Sequence, residues 1–347
     1  MHPNLRETDR ALTASGIKCV YIVAGLGPSE PSTFPGRIVL NPLTSGLAEM
    51  EALLESLRPD ALVQRNFDGA FEHLWFLSQK SGVKTFRYTQ DPQSLPLGDA
   101  IVRPLRAVRM VRDYLLYLRK LGPHTIVTPV KSWGVEGKKK LSTACYVALP
   151  MEARARSSST SGSLVKIVTV AKHGQRRKRI RWLLSAVRGL GVPLQIEVVG
   201  SVPQAGQVAW RKRDRNLRIF AAKVSGPNLT INFHDDLSEI KLRELYGCAD
   251  LFIMPAKREY MSISPLEAMA HGTPVLVGSD SGSAGYVRAA DPRQVFRAWC
   301  YSSFRTKLRT FLQDKDLRLE LSSAVEKAVL ENHSPSKIIN LVRNQLR

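Results

Sequence analysis

Short apolar runs, separated by longer polar and amphipathic stretches, recur along the whole chain, and their spacing predicts alternating strands and helices. In the first half the runs Lys18 to Ala24, Arg37 to Leu40, Ala61 to Gln64, Lys84 to Thr89, Thr125 to Pro129 and Ala144 to Ala148 have the length and composition of strands. The stretch ARARSSSTSGS, Ala153 to Ser163, then breaks the pattern with the composition of a linker. Beyond it the runs Val165 to Val170, Leu194 to Val199, Leu229 to Phe233, Leu251 to Met254 and Val275 to Val277 are each followed by a helix or loop. Such alternation belongs to doubly wound parallel sheets. It divides the chain into an α/β half over 1–152, a linker over 153–163, a second α/β half over 164–330 and a carboxyl-terminal helix, 331–347, that is expected to pack back on the first half.

The strand-to-helix junction after Ala249-Asp-Leu-Phe-Ile-Met-Pro255 carries the densest chemistry. The apolar run is a buried parallel strand stopped by proline, and a helix is expected from Ser264 to His271. In an open parallel sheet, ligands sit at the carboxyl ends of the strands. There the amides of Met261, Ser262, Ile263 and Ser264 point out of a helix start, where a diphosphate is well received. Glu259 and Glu267 lie eight residues apart across this junction. Carboxylates bond strongly to hydroxyls, which suits Glu259 to a transferred sugar and Glu267 to a ribose. The alternative is that Glu259 is a loop carboxylate among Lys257 and Arg258, and that Glu267 complements the helix dipole.

The string YGCADLFIMPAKREYMSISPLEAMAHGTPVLVGSDSGSAGYV resembles the carboxyl-terminal signature of retaining family 4 (group 1) glycosyltransferases, with its two glutamates flanking seven residues and its following Gly-Thr-Pro-Val strand. A second similarity lies where Val165 to Ala171 runs into Lys172-His-Gly-Gln-Arg-Arg-Lys178. In that family an arginine and then a lysine hold the donor diphosphate at these places, and they stabilise charge on the leaving group. Lys172 and Lys178 occupy the two positions; lysine for arginine at 172 keeps the charge and loses the planar fork. Read without the resemblance, RRKRIR (Arg176 to Arg181) is a solvated basic helix start or an RNA-contacting patch. The resemblance implies a GT-B architecture, two Rossmann-like domains facing a cleft. It also implies sugar transfer from a nucleotide-diphosphate donor to a glycan or lipid-linked hydroxyl in envelope polysaccharide synthesis, with retention at the anomeric carbon. Catalysis then rests on Glu259, Lys172 and Lys178, with Glu267, the Met261 to Ser264 loop, His173 and Gly282 binding the donor, and without metal or cofactor.

Two departures from the family pattern stand out. Asn4 to Gly16 resembles the first helix of the amino-terminal domain, so the first strand and its glycine-rich turn are missing; the expectation is a start further upstream or a truncated copy. Gln90, beside Asp91, stands where many members place an acceptor-side histidine. His124 has the setting of a loop residue, and His271 before Gly272 that of a cationic helix cap. Asp314-Lys-Asp316 has the form of a metal-binding acidic pair, but its place between helices makes it a cap.

Composition adds the surroundings of such an enzyme. With 347 residues, 44% hydrophobic and 23% charged, the chain has material for two cored domains. No apolar run approaches the roughly 18 residues of a membrane span, and the start does not read as a signal peptide. Cys19, Cys145, Cys248 and Cys300 are scattered, without metal or redox spacing. These features imply a cytoplasmic protein. The net charge of +21 demands an anionic partner. Arg103 to Lys120 has the arginine spacing of a basic amphipathic helix that lies on anionic lipid at the inner face of the cytoplasmic membrane, or else of a core helix with solvated arginines. Two other classes stay open: a DNA-modifying glycosyltransferase, supported by charge alone, and a non-catalytic protein that binds nucleotide sugars.

Overall fold

The computed structural model describes residues 12–24, 37–40, 47–64, 70–88, 124–128, 142–146, 151, 153–154, 164–201, 206–257, 259 and 262–346. The chain divides into two compact units, residues 1–149 with 335–347, and residues 150–334.

In the first unit β1 (Tyr21–Ala24) pairs in parallel with β2 (Arg37–Leu40). A separate parallel sheet has the order β3 (Ala61–Gln64), β4 (Lys84–Tyr88), β5 (His124–Thr128), β6 (Ser142–Tyr146). Helices α1 (Leu47–Leu57) and α2 (Ala70–Lys80) meet through Met50, Leu54 and Leu74, placed at helical spacing, with Trp75 fully buried. β6 starts two residues before the expected run because its register is set by β5, His124 opposite Ser142. Gln90, Asp91 and Arg103 to Lys120 lie outside the described residues.

The second unit is built on a six-stranded parallel sheet. Its strands are β7 (Val165–Val170), β8 (Leu194–Gly200), β9 (Leu229–Asp235), β10 (Leu251–Met254), β11 (Val275–Gly278) and β12 (Val295–Phe296), in the order β12-β11-β10-β7-β8-β9. All of β10 and β11 is buried, as the uninterrupted apolar runs predict for strands covered on both faces. β12 has two residues, too few to show a period. Helices α3 (Ile180–Val187) and α4 (Val208–Val224) follow β7 and β8. Ile180, Leu183, Leu184 and Val187 form one stripe of α3 and pack on Ile167, Ile196, Val198, Leu251 and Ile253. Right-handed crossovers put α5 (Glu239–Cys248), α6 (Ser264–Ala270) and α7 (Ala284–Ala290) on the other face. α8 (Tyr301–Gln313) returns to α3, and α9 (Lys315–Asn332) packs against α6 and α7. α10 (Pro335–Leu346) clusters with the first unit. Of the expected linker, residues 155–163 lie outside the described set; Arg154 N–H donates to the carbonyl of Ala270 at 2.7 Å.

Two caps refine the sequence expectations. Asp314 accepts the Leu317 N–H at 2.8 Å as the N-cap of α9, the capping role foreseen for the acidic pair. His271 does end α6, but not as a cation. The closure is made by Gly272 in the left-handed region (φ 68°), whose N–H reaches Met269 at 2.9 Å while Thr273 N–H reaches Ala268 at 3.0 Å. Burial, with Arg154 and Arg243 nearby, pushes the His271 imidazole down to about 4. Since the unfolded value is near 6.5, the unfolded chain takes up this proton first as pH falls. The contribution of His271 is complete above about pH 6.5 and is lost towards pH 4. His271→Gln should therefore flatten the acid slope of urea unfolding by about 2–3 kcal/mol between neutral and pH 4.5; an unchanged slope would mean that the ring does not titrate with folding.

Among the described residues no helix is long and apolar enough to cross a membrane.

Candidate functional site

β7 and β10 are sheet neighbours, Leu251 opposite Ile167, yet their following strands depart to opposite sides. Loops leaving their carboxyl ends therefore meet at the switch point, where open α/β sheets take ligands. The loop after β7 contains a 3-10 turn, Arg176–Lys178, and the Lys257 N–H from the β10 loop donates to the Arg177 carbonyl at 2.8 Å.

This backbone contact brings three charged side chains together. Glu259 Oε2 accepts Nη1 of Arg177 at 2.5 Å and Nζ of Lys178 at 2.8 Å. Glu259 is 7% and Lys178 9% exposed. Oε1 of Glu259 accepts no bond from the described residues. Burial holds the Lys178 ammonium below its ordinary pKa; Glu259 pulls it back, and Arg177 and Lys172 push it further down. Lys172 is exposed, close enough to act on Lys178 through its field. Two cations on one carboxylate leave the cluster positive, a composition that receives an anion.

The Glu259 loop is fastened from β11. Gly282 N–H donates to the Glu259 carbonyl at 2.8 Å, so the visible work of that amide is to hold this loop. The Tyr286 hydroxyl donates to the Ser262 carbonyl at 2.9 Å. Ser262, Ile263 and Ser264 are half-buried at the start of α6, with Ile263 in the cap position and Pro265 next in the turn. Met261 lies outside the described residues. Glu267, one turn on, accepts the Tyr246 hydroxyl at 3.1 Å. Tyr246 is fully buried, and burial followed by the Glu267 charge pushes its phenol well above the ordinary value.

His173 is placed inward. Its side chain is fully buried, with Nδ1 3.3 Å from Arg218 Nη2 and 3.5 Å from carboxylate oxygens of Asp214 and Asp235. Arg218 Nη2 donates to Asp235 at 2.6 Å and Nε to Asp214 at 3.1 Å. Burial depresses the His173 pKa, against the pull of Asp214. Its ring meets Phe233 edge-on, and among the described residues Nε2 has no partner at hydrogen-bond geometry. The network ties the loop after β7 to α4 and to the end of β9, and Arg213 Nε adds a bond to the Gly174 carbonyl at 2.9 Å.

The sequence does not single out residues 177 and 179 beyond the basic run that contains them. Arg177 shares Glu259 with Lys178. Arg179, in the left-handed region (φ 51°), puts its guanidinium 4.0 Å from the Trp182 ring centre and 4.8 Å from that of Trp299. Lys257 Nζ lies 4.9 Å from the Trp299 ring. Among the described residues no group of three or more His, Cys, Asp or Glu is arranged to hold a metal ion.

Residues 153–328, just over half of the chain, match the family described as Glycosyl transferases group 1. The D-inositol 3-phosphate glycosyltransferase of Corynebacterium glutamicum (strain R) is 28% identical over 172 residues, 41% of this chain and 41% of that protein, so the match spans well under half the length of this curated relative. Among solved structures, sucrose-phosphate synthase from Thermosynechococcus elongatus superposes with a TM-score of 0.74 at 15% identity, covering 99% of this chain and 91% of that one. The E. coli structure described as trehalose-6-phosphate bound with UDP-2-fluoro glucose gives 0.70 at 11% identity, covering 99% and 95%. At such identities the likeness speaks for the fold, which is α/β of the GT-B class.

Proposed function

This chain belongs to the group 1 glycosyl transferases, and from that premise we propose that it transfers a sugar from a nucleotide-diphosphate donor to an acceptor hydroxyl, with retention at the anomeric carbon. The observation that carries this reading is the convergence of Arg177, Lys178 and Glu259 at the switch point between β7 and β10. The bond from the anomeric carbon to the diphosphate oxygen breaks as the acceptor oxygen bonds to that carbon; negative charge collects on the departing oxygen, which takes up the acceptor hydroxyl's proton. Lys178 and Arg177 oppose that charge from a partly dry position, with Lys172 adding to the field from the rim. Glu259 fixes both cations through Oε2 and offers Oε1 to a hydroxyl of the transferred sugar. Glu267, steadied by Tyr246, takes the ribose hydroxyls. In this reading the half-buried Ser262 to Ser264 segment and Met261 line the diphosphate, and Gly282 and His173 support the loops rather than touch the donor.

The acceptor belongs to the same proposal: an envelope glycan or a lipid-linked hydroxyl at the inner face of the cytoplasmic membrane. The cationic surface of this chain supports it. The test is calorimetric titration of the full chain with UDP-, GDP- and ADP-sugars, beside Glu267→Gln. Glutamine keeps an acceptor for the Tyr246 hydroxyl and removes the charge. One donor should bind the wild type and bind Glu267→Gln roughly 10- to 100-fold more weakly, as the loss of a charged hydrogen bond implies. Equal binding by both proteins would remove Glu267 from the site, and failure of every donor to bind would sink the donor reading itself.

A further inference from the structure

The positive charge of the second unit is one-sided. α3, α4 and α8 form the layer on one face of the sheet, α3 between the other two, with Arg181 of α3 stacked 4.3 Å from the Phe220 ring of α4. These three helices contain a single carboxylate, Asp214, which is buried and held by Arg218 beside His173. Their solvent side exposes Arg181, Lys212, Arg215, Arg305 and Arg309, and Arg188 follows directly at the end of α3. On the opposite face α5 and α9 mix Glu239, Glu244, Asp316, Glu320, Glu326 and Glu331 with their lysines and arginines.

Apolar groups lie among the cations. Val208 and Ile219 of α4 are 72% and 46% exposed. Trp299, 51% exposed, stands beside Arg179 and Lys257 at the edge that carries the Arg177 and Glu259 loops. Cations with interspersed aliphatic side chains, and a tryptophan at the rim, are the composition of a surface that meets lipid headgroups. A duplex would use the cations but gains nothing from exposed valine and isoleucine.

We infer that the α3, α4 and α8 face of the second unit docks on anionic phospholipid. The inference rests on, and narrows, the lipid-linked acceptor reading: the docked face shares its tryptophan-bearing edge with the loops of the donor site. Each arginine or lysine near such a surface contributes about 1 kcal/mol, so removing four should weaken binding on the order of 10²- to 10³-fold.

The experiment is co-sedimentation of the full chain with phosphatidylglycerol-containing vesicles and with pure phosphatidylcholine vesicles, at low and high salt. The variant Arg188→Gln, Lys212→Gln, Arg215→Gln, Arg309→Gln changes exposed positions only, and its melting temperature checks the fold. A second variant, Lys241→Gln, Arg288→Gln, Lys315→Gln, Lys327→Gln, removes the same charge from the other face. The expected result is salt-sensitive binding to anionic vesicles alone, lost by the first variant and kept within a few fold by the second. Equal loss in both would reduce the effect to net charge, and unchanged binding in both would put the contact elsewhere; either overturns the inference. So would absence of vesicle binding, or tighter binding to duplex DNA that the first variant abolishes. Donor titration, read separately, shows whether the donor site stands when docking fails.

Discussion

Lys178→Ala is expected to lower sugar transfer by about 10²- to 10³-fold, the usual loss when one preorganised group facing a developing negative charge is removed. The residue is placed for that effect: buried, 2.8 Å from Glu259, with Arg177 and Lys172 adding positive field. The same change leaves Glu259 with Arg177 alone, and an under-compensated buried carboxylate should cost about 1–3 kcal/mol of stability. Catalysis and stability are separable through a second substitution. Lys178→Ala with Glu259→Gln removes the stranded charge, so the urea midpoint should recover while turnover stays low. If Lys178→Ala lost stability but transferred sugar at the wild-type rate, Lys178 would be a structural partner of Glu259 and the leaving-group role would fall. Lys178→Arg keeps the charge in a larger, planar group and should retain part of the activity.

Gly200→Ala should be the most damaging small substitution in the second unit. A Cβ there would stand 2.0 Å from the Ala171 carbonyl oxygen and 2.7 Å from Nε2 of His173. The carbonyl cannot retreat easily, because Ala171 N–H is bonded to the Val199 carbonyl at 2.8 Å, and His173 is enclosed by Asp214, Arg218, Asp235 and Phe233. Overpacking against backbone is relieved only by moving the loop that carries Lys172 to Arg179. We expect a loss on the order of 3 kcal/mol or more, with a lower kcat because the cations move with the loop. Gly206→Ala is the control, since a methyl group there would meet nothing within 4 Å, and it should stay within about 0.5 kcal/mol of wild type. Calorimetric unfolding of the two variants decides the matter; a Gly200→Ala protein that melts like Gly206→Ala would show the crowding to be illusory.

Local order was legible where a residue's surroundings are mostly its sequence neighbours. The run Leu251 to Met254 became a fully buried strand with those bounds because a parallel strand covered on both faces must be apolar throughout, and Val165 to Val170 kept its bounds with Val165, Ile167, Val168 and Thr169 buried although Lys166 interrupts it. Glu259 and Lys178 were visible as motif positions, but their ion pair was not, since 81 positions separate them and they meet through the pairing of β7 with β10 and the Lys257 to Arg177 backbone bond between the loops that follow. Arg177 was hidden for the same reason: within RRKRIR nothing local separates the arginine that reaches Glu259 from those in solvent. His173 looked like a loop residue facing ligand. Its burial depends on Asp214 and Asp235, which come from α4 and from the end of β9.

The strand order has a further consequence, for the chain as it is made. β7 pairs with β8 on one edge and β10 on the other, and Leu251 must come to lie against Ile167, 84 positions earlier. Until β10 leaves the ribosome, β7 keeps one edge unpaired, since no strand among the described residues of the second unit precedes it. At about 5–20 residues per second this exposure lasts several seconds, long on the scale of hydrophobic collapse. The second unit is thus a non-local folder whose centre closes only when β10 arrives, before β11 and β12 extend the sheet beyond it, and a chain stopped before Leu251 displays an adhesive strand edge to chaperones and to its own copies.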